Sequence, residues 1–200
     1  MLETCSTLNM VDKVSAGTRE RLLAAAERLL LTEPYEDVSV RAVCAAAGAN
    51  PAAVHYHFGS KEALVGALIE DRLGPQWADG MADATARNCE SVPALVDTII
   101  APFIDLAADP VGRLHLRLLA RFVLGRHLTT WHGRWFRMDS WTALLPHLSA
   151  GESRRRWMLA FDLIIMRFGS PEVEEYGMSE RAAATLRDFV VAGLTTTAQE

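Results

Sequence analysis

The stretch Gly48–Val65, GANPAAVHYHFGSKEALV, decides how the chain is read. Gly48 can take a positive φ and stop a preceding helix. Asn50-Pro51 is an N-cap followed by proline at the first helical position. The helix that starts there has to be short. Gly59-Ser60 breaks it after Phe58, and Ser60 caps the next helix, with Glu62 in its first turn. Placed on a helix, Val54 and Phe58 share an inward apolar face, while Ala52, His55 and Tyr56 lie away from it.

Working outward, Ser39 is the start signal of another short helix, with Val40, Val43, Ala46 and Ala47 on its inward face. Residues 39–58 therefore read as two short helices joined by a tight turn at Gly48. That is the helix-turn-helix arrangement, whose second helix enters the major groove of DNA. A longer amphipathic helix precedes it. Leu22, Ala26, Leu29 and Leu30 repeat at three and four, Thr18 is its N-cap, and Pro34 is expected to stop it near Thr32. The helix capped by Ser60 carries Leu64, Val65, Leu68 and Ile69 and is expected to end at about Leu73. Residues 1–17 are polar and aperiodic and read as a flexible tail.

The histidines flanking Tyr56 raise competing chemistries. A zinc pair on a helix uses i, i+4 spacing plus further ligands. His55 and His57 stand at i, i+2, which turns them roughly 200° apart, so no metal site is expected. Catalysis needs a nucleophile or a partner carboxylate in a pocket. Nothing nearby supplies one, so no catalytic residue, enzyme activity or cofactor is expected. A solvated polar face is the plain alternative. Contact with DNA accounts for more of the residues. Ala52 and Ala53 let the helix approach base edges, Tyr56 and the histidines offer short donors to phosphate, and Lys61 adds a point charge at a helix N-terminus.

Residues 18–73 resemble the N-terminal domain of the TetR family of bacterial transcription regulators. The resemblance rests on Thr18-Arg19, Leu22-Leu23, Ala25-Ala26, Ser39–Val43, Ala46-Ala47-Gly48 and above all Val54–Leu64, VHYHFGSKEAL. It implies an all-α fold: an N-terminal three-helix helix-turn-helix domain plus a C-terminal helical ligand-binding and dimerisation bundle over 74–200. It also implies DNA contacts from Ser39, Arg41, Asn50, Pro51, Ala52, Ala53, His55, Tyr56, His57 and Lys61. Three positions depart from the family pattern: Pro34-Tyr35 replaces a glycine-aromatic pair, Cys44 an alanine, and His55 the commoner tyrosine.

Charge does not by itself point to DNA. The 200-residue chain has a net charge of −5, and residues 18–74 hold six Lys/Arg against eight Asp/Glu. A uniformly basic domain is excluded; a local contact surface is not, because charges act within a Debye length of roughly 8–10 Å. Half of the chain is hydrophobic, enough for a core, yet no stretch is long and apolar enough for a membrane span. No secretory signal is expected. Cys5, Cys44 and Cys89 are too scattered for a disulfide framework or zinc site, which suggests a reducing cytoplasm.

Beyond Gly74-Pro75, helices are expected at 77–88, 92–108, 111–127, 132–148, 152–168 and 179–197. All five tryptophans lie here, and Trp131, Trp135 and Met138 would share one helix face. Phe103, His115, Arg117, Phe122 and Trp135 are candidates to line an effector pocket. Residues 157–168 are apolar nearly all round, so that helix should be buried on several sides. Ala182, Leu186, Phe189, Val190 and Gly193 form a stripe on the last helix. The resemblance implies that the last two helices build a homodimer, which would read a palindromic operator under the control of a small molecule. The alternative is a helical small-molecule-binding or enzymatic bundle that retains a helix-turn-helix without binding DNA.

Overall fold

The computed structural model of the chain describes residues 4–86, 91–125 and 130–196. Cys89 and the expected helix ends at 87–88, 126–127 and 197 lie outside them. The described residues form helices and turns and no strand. They divide into two compact units, residues 1–68 and 69–200, the division falling inside a helix.

The first unit holds α1 (Thr4–Thr32), α2 (Val40–Ala46), α3 (Ala53–His57) and the first turns of α4 (Lys61–Ala86). Helix α1 starts well before Thr18, so Thr4–Gly17 are helical rather than a tail. No proline interrupts Thr4–Thr32, and the single Gly17 costs only about 1 kcal/mol. Its C-terminal half carries the core: Leu22, Leu23, Ala25, Ala26 and Leu30 are buried, and they are joined by Val38, Val43, Val54, Leu64 and Leu68. Leu29, expected on the same stripe, is only half-buried.

The second unit contains the rest of α4, then α5 (Val92–Ala108), α6 (Pro110–Leu124), a 3₁₀ turn (Arg134–Phe136), α7 (Met138–Thr142), α8 (Ala150–Phe168), α9 (Pro171–Tyr176) and α10 (Glu180–Thr195). Helix α8 packs against α5, α6, α7 and α10, and α5 also packs against α6 and α10. Serines at 91, 149, 170 and 179 and Asp109 cap their helices by accepting a backbone N–H three residues on.

Two further expectations, both about where helices end, need correction. Helix α4 does not end at Gly74-Pro75 but runs through it, so the helix expected at 77–88 is its continuation. An interior proline costs about 3 kcal/mol. Burial of Leu73, Trp77 and Met81 along one stripe offsets that cost, since losing a buried tryptophan alone costs about 3–5 kcal/mol. The Trp77 indole N–H also donates to the Ile99 carbonyl at 2.9 Å. The helix expected over 132–148 is replaced by the 3₁₀ turn and five-residue α7. There the Trp141 indole N–H donates to the Trp135 carbonyl at 3.0 Å, and the Trp141 ring packs on Trp157 and Phe161. Aromatic burial against α8 outweighs a continuous backbone ladder. Trp131, Trp135 and Met138 consequently share no helix face.

Helix α8 also differs from expectation. Trp157, Ala160, Ile164, Ile165 and Phe168 are buried, but Met158, Leu159 and Met166 are exposed. On α10, Leu186 and Val190 are buried while Phe189 is 71% exposed. One apolar face therefore stays uncovered in the single chain.

Candidate nucleic-acid interface

The turn between α2 and α3 is built by short-range polar contacts. Ser39 Oγ accepts the Ala42 N–H at 3.1 Å and fixes the first turn of α2. Gly48 takes φ +59, which lets the chain leave α2, and its N–H donates to the Ala45 carbonyl. Asn50 Oδ1 accepts the Ala52 N–H at 2.9 Å, so the chain turns at Pro51-Ala52 and regular helix begins at Ala53. Cys44 is buried, and its thiol lies 3.5 Å from the Pro51 carbonyl, a weak donor contact that ties α2 to the turn. Arg28 of α1 donates to the Ala46 carbonyl at the C-terminus of α2.

Helix α3 has five residues and would not hold alone. Val54, fully buried, is its anchor. Phe58 is half-buried, with the Arg19 guanidinium over its ring at 5.5 Å. The opposite side of α3 is open: Pro51, Ala52, His55 and Tyr56 are exposed, and Tyr56 is 81% exposed. Ala53 and His57 are half-buried, whereas Ser39, Arg41 and Asn50 are exposed. The turn thus brings Ala52, His55 and Tyr56 to one outward surface.

The two histidines are held differently. His55 Nδ1 lies 3.0 Å from the Gly59 carbonyl. A carbonyl only accepts, so Nδ1 is the donor in this contact. The His57 ring meets Tyr56 edge-on at 5.0 Å and leans on Phe58. Among the described residues no group of three His, Cys, Asp or Glu could hold a metal ion.

Lys61 is engaged inside the unit. Its ammonium donates to the Tyr35 carbonyl at 2.5 Å and to the Glu36 carbonyl at 3.4 Å, and it sits 4.2 Å from the centre of the Tyr35 ring. The Tyr35 hydroxyl donates to Glu62 at 3.4 Å. Pro34-Tyr35, the unusual pair, thereby pins the α1–α2 loop to the start of α4. Backbone N–H donation at the head of α4 lowers the Glu62 carboxyl pKa, with smaller help from Ser60, Tyr35 and Lys61. Sequence reasoning named Lys61 as a contact and Tyr35 only as a departure from the family pattern, because the partners of Tyr35 lie more than 20 residues away. The carboxylates of the region also have a pattern: between Asp37 and Glu62 there is none.

The family model described as "Bacterial regulatory proteins, tetR family" matches residues 22–68, which span this interface. Residues 22–68 carry the N-terminal domain of the TetR family. The HTH-type transcriptional regulator UidR of Escherichia coli K12 is 36% identical over 98 residues, which cover 48% of this chain and 46% of that protein. UidR of Shigella flexneri matches to the same extent. The chain spans about half the length of the curated relatives it matches. Two solved structures share its fold over 90% of the chain. A TetR-family regulator from Streptomyces coelicolor A3 has a TM-score of 0.54 at 17% identity over 96% of that chain. A candidate TetR-family transcriptional regulator from Mesorhizobium loti MAFF303099 has 0.52 at 21% over 94%.

In the second unit, the five proposed pocket residues part company. Phe103 lines a cavity of about 160 Å³. Helix α6 presents Leu119 and Val123 to it, while His115 and Phe122 are buried elsewhere on that helix and Arg117 is half-buried. Trp135 packs at a tilt against Trp141, ring centres 5.2 Å apart, with the Arg134 guanidinium over its ring, and also stays off the wall. The walls missed from sequence include Trp77 on α4 and Phe136 in the 3₁₀ turn, while Trp131 and Met138, singled out from sequence with Trp135, also line it. No membrane-length apolar helix occurs among the described residues.

Proposed function

We propose that the chain is a dimeric, cytoplasmic transcriptional repressor that binds a palindromic DNA operator and is released from it by a small molecule. Residues 18–73 serve as the DNA-binding part and residues 74–200 as the ligand-binding and dimerisation part. One observation carries this reading: an exposed helix-turn-helix face, free of carboxylates, that presents Arg41, Asn50, Ala52, His55 and Tyr56 around a buried Val54 anchor. Ala52 and Ala53 admit the groove, Arg41 and Tyr56 reach bases or phosphate, and Ser39, His57 and Lys61 line the backbone.

Dimerisation is supported by the uncovered face of α8 and α10. Met158, Leu159, Met166 and Phe189 are exposed there, beside a groove of about 500 Å³ lined by Leu163, Met166, Leu186 and Phe189. A second copy of the chain would cover it, and two-fold symmetry would set the two α3 helices about 34–36 Å apart, one turn of DNA.

The test is binding to DNA from upstream of the protein's own gene, followed by fluorescence anisotropy at fixed salt. The parent is expected to bind in a salt-sensitive manner. Tyr56→Ala should weaken binding by about 5–150-fold, from one hydrogen bond of ~0.5–1.5 kcal/mol in each half-site. Its stability should change by less than about 0.5 kcal/mol, because the side chain is exposed. Absence of DNA binding by the parent would favour a helical small-molecule bundle that merely retains the helix-turn-helix.

A further inference from the structure

We propose that the 160 Å³ cavity of the second unit takes an uncharged, single-ring aromatic or similarly compact apolar ligand, and that Glu70 holds the wall that grips it. The inference rests on the ligand-responsive reading above and names the chemistry of its ligand.

Size and lining set the class. A cavity of roughly 150 Å³ lined by apolar side chains accepts benzene, whereas drug-sized ligands need ~300 Å³ or more. Among the described residues, every lining side chain is aromatic or aliphatic. Trp77, Phe103, Trp141 and Phe161 supply ring faces and edges from four helices. The Trp77 and Trp141 indole N–H groups, the polar atoms of those rings, already donate to Ile99 and Trp135 carbonyls. A carboxylate or ammonium would be desolvated there with no charged lining residue to pair it, while an apolar ring loses nothing.

The remaining wall is a strap from Trp131 to Met138, which has only one 3₁₀ turn of regular structure. Trp131 and Phe136 stack on each other at 5.2 Å with an 18° interplanar angle. Glu70 fastens this strap to α4: one carboxylate oxygen, Oε1, accepts the His132 N–H at 2.5 Å and the Gly133 N–H at 2.7 Å. A Cβ at Gly133 would stand 3.0 Å from the Phe136 ring and 3.4 Å from that same oxygen, so the close approach needs glycine. A Cβ on Gly74 would touch Phe136 at 4.0 Å. Glu70, Gly74 and Trp77 lie at i, i+4 and i+7, one stripe of α4. That stripe carries the strap at one end and the cavity wall at the other. A ligand that presses on Trp131 or Phe136 is therefore felt on α4 through Glu70, which acts as a positioning residue.

Toluene and benzoate, matched in size and differing in charge, are the probes, titrated into the 200-residue chain with tryptophan fluorescence as the readout. Toluene should bind saturably and benzoate at least tenfold more weakly. Val123→Phe, which fills the cavity from α6, should reduce toluene affinity at least tenfold. Glu70→Ala should do likewise and speed hydrogen exchange at the His132 and Gly133 amides at least tenfold, while Glu70→Gln, which keeps the acceptor oxygen, restores most of both. Circular dichroism melting confirms that each variant is folded. Equal binding of benzoate, or toluene binding untouched by Val123→Phe, would overturn the ligand class. Amide exchange and affinity unmoved by Glu70→Ala would overturn the role of Glu70. None of these readouts involves DNA, so a failed operator assay would sink the repressor reading and leave this one standing.

Discussion

Replacing Lys61 by methionine separates two jobs that the side chain can hold at once. Methionine keeps the apolar stem over the Tyr35 ring and removes only the ammonium. In the structure that ammonium makes one short bond to the Tyr35 carbonyl, one long bond to the Glu36 carbonyl and a cation–π contact at 4.2 Å. A well-formed bond from a charged donor contributes ~1.5–3 kcal/mol, but half-exposure discounts it and the 3.4 Å bond adds little. An exposed cation–π contact contributes ~0.5–1 kcal/mol. The expected loss of stability is about 2 kcal/mol, read by urea unfolding. Phosphate contact has a separate signature. Arg41 and Lys61 are the fully charged residues between Asp37 and Glu62, so a dimer using both neutralises about four phosphates. The slope of log K against log salt should then be about −3.6 for the parent and about −1.8 for Lys61→Met. A slope that does not move would show that Lys61 touches no phosphate and only pins the α1–α2 loop. A reduced slope without loss of stability would show that the two carbonyl bonds contribute nothing.

Asp97 and Arg187 join α5 to α10 through a two-point pair at 2.5 and 2.9 Å, and the Arg187 hydrogen bonds lower the Asp97 carboxyl pKa. A depressed folded value means that the pair stabilises above the unfolded carboxylate pKa of about 3.9 and loses that effect as pH falls through the folded value. Asp97→Asn should therefore melt earlier than the parent at pH 7, less so in high salt, with the difference vanishing in acid; a gap that persists below pH 3 counts against the pair. Leu159→Asp with Phe189→Asp places charge on the uncovered face of α8 and α10. In sedimentation analysis the variant should run as a folded monomer while the parent runs as a dimer, and a variant that stays dimeric would move the interface elsewhere.

The helix-turn-helix was legible because its signals are local. Ser39, Asn50 and Ser60 each accept a backbone N–H two or three residues along the chain. Gly48 needs its positive φ on its own account. Such contacts are written in adjacent letters. Gly74-Pro75 and Trp131–Met138 misled for the opposite reason. Whether the helix survives the proline depends on Trp77 reaching Ile99, and whether 132–148 forms a helix depends on Trp141 finding Trp157 and Phe161. The cavity suffered the same way, since Phe103 was named but its neighbours arrive from distant segments. Glu70 carried no signal at all, because its partners lie more than 60 residues away.

The acidity of the chain looks like an objection to DNA binding until its carboxylates are placed. With none between Asp37 and Glu62, the acidic groups of the domain sit on α1, the α1–α2 loop and α4, and Glu62 is tied up by Ser60, Tyr35 and its own backbone. Screening over roughly 8–10 Å confines their repulsion to those places. The presenting surface is therefore only weakly basic, and this has a consequence for selectivity. Non-specific affinity comes from counterion release and scales with the number of phosphates neutralised; a surface with two full charges per chain has little of it. Most of the binding energy must then come from short donors and close fit: Asn50, Tyr56 and the small Ala52 and Ala53 on a helix anchored by one buried valine. A chain built this way should discriminate between operator and bulk DNA mainly by being weak on the latter.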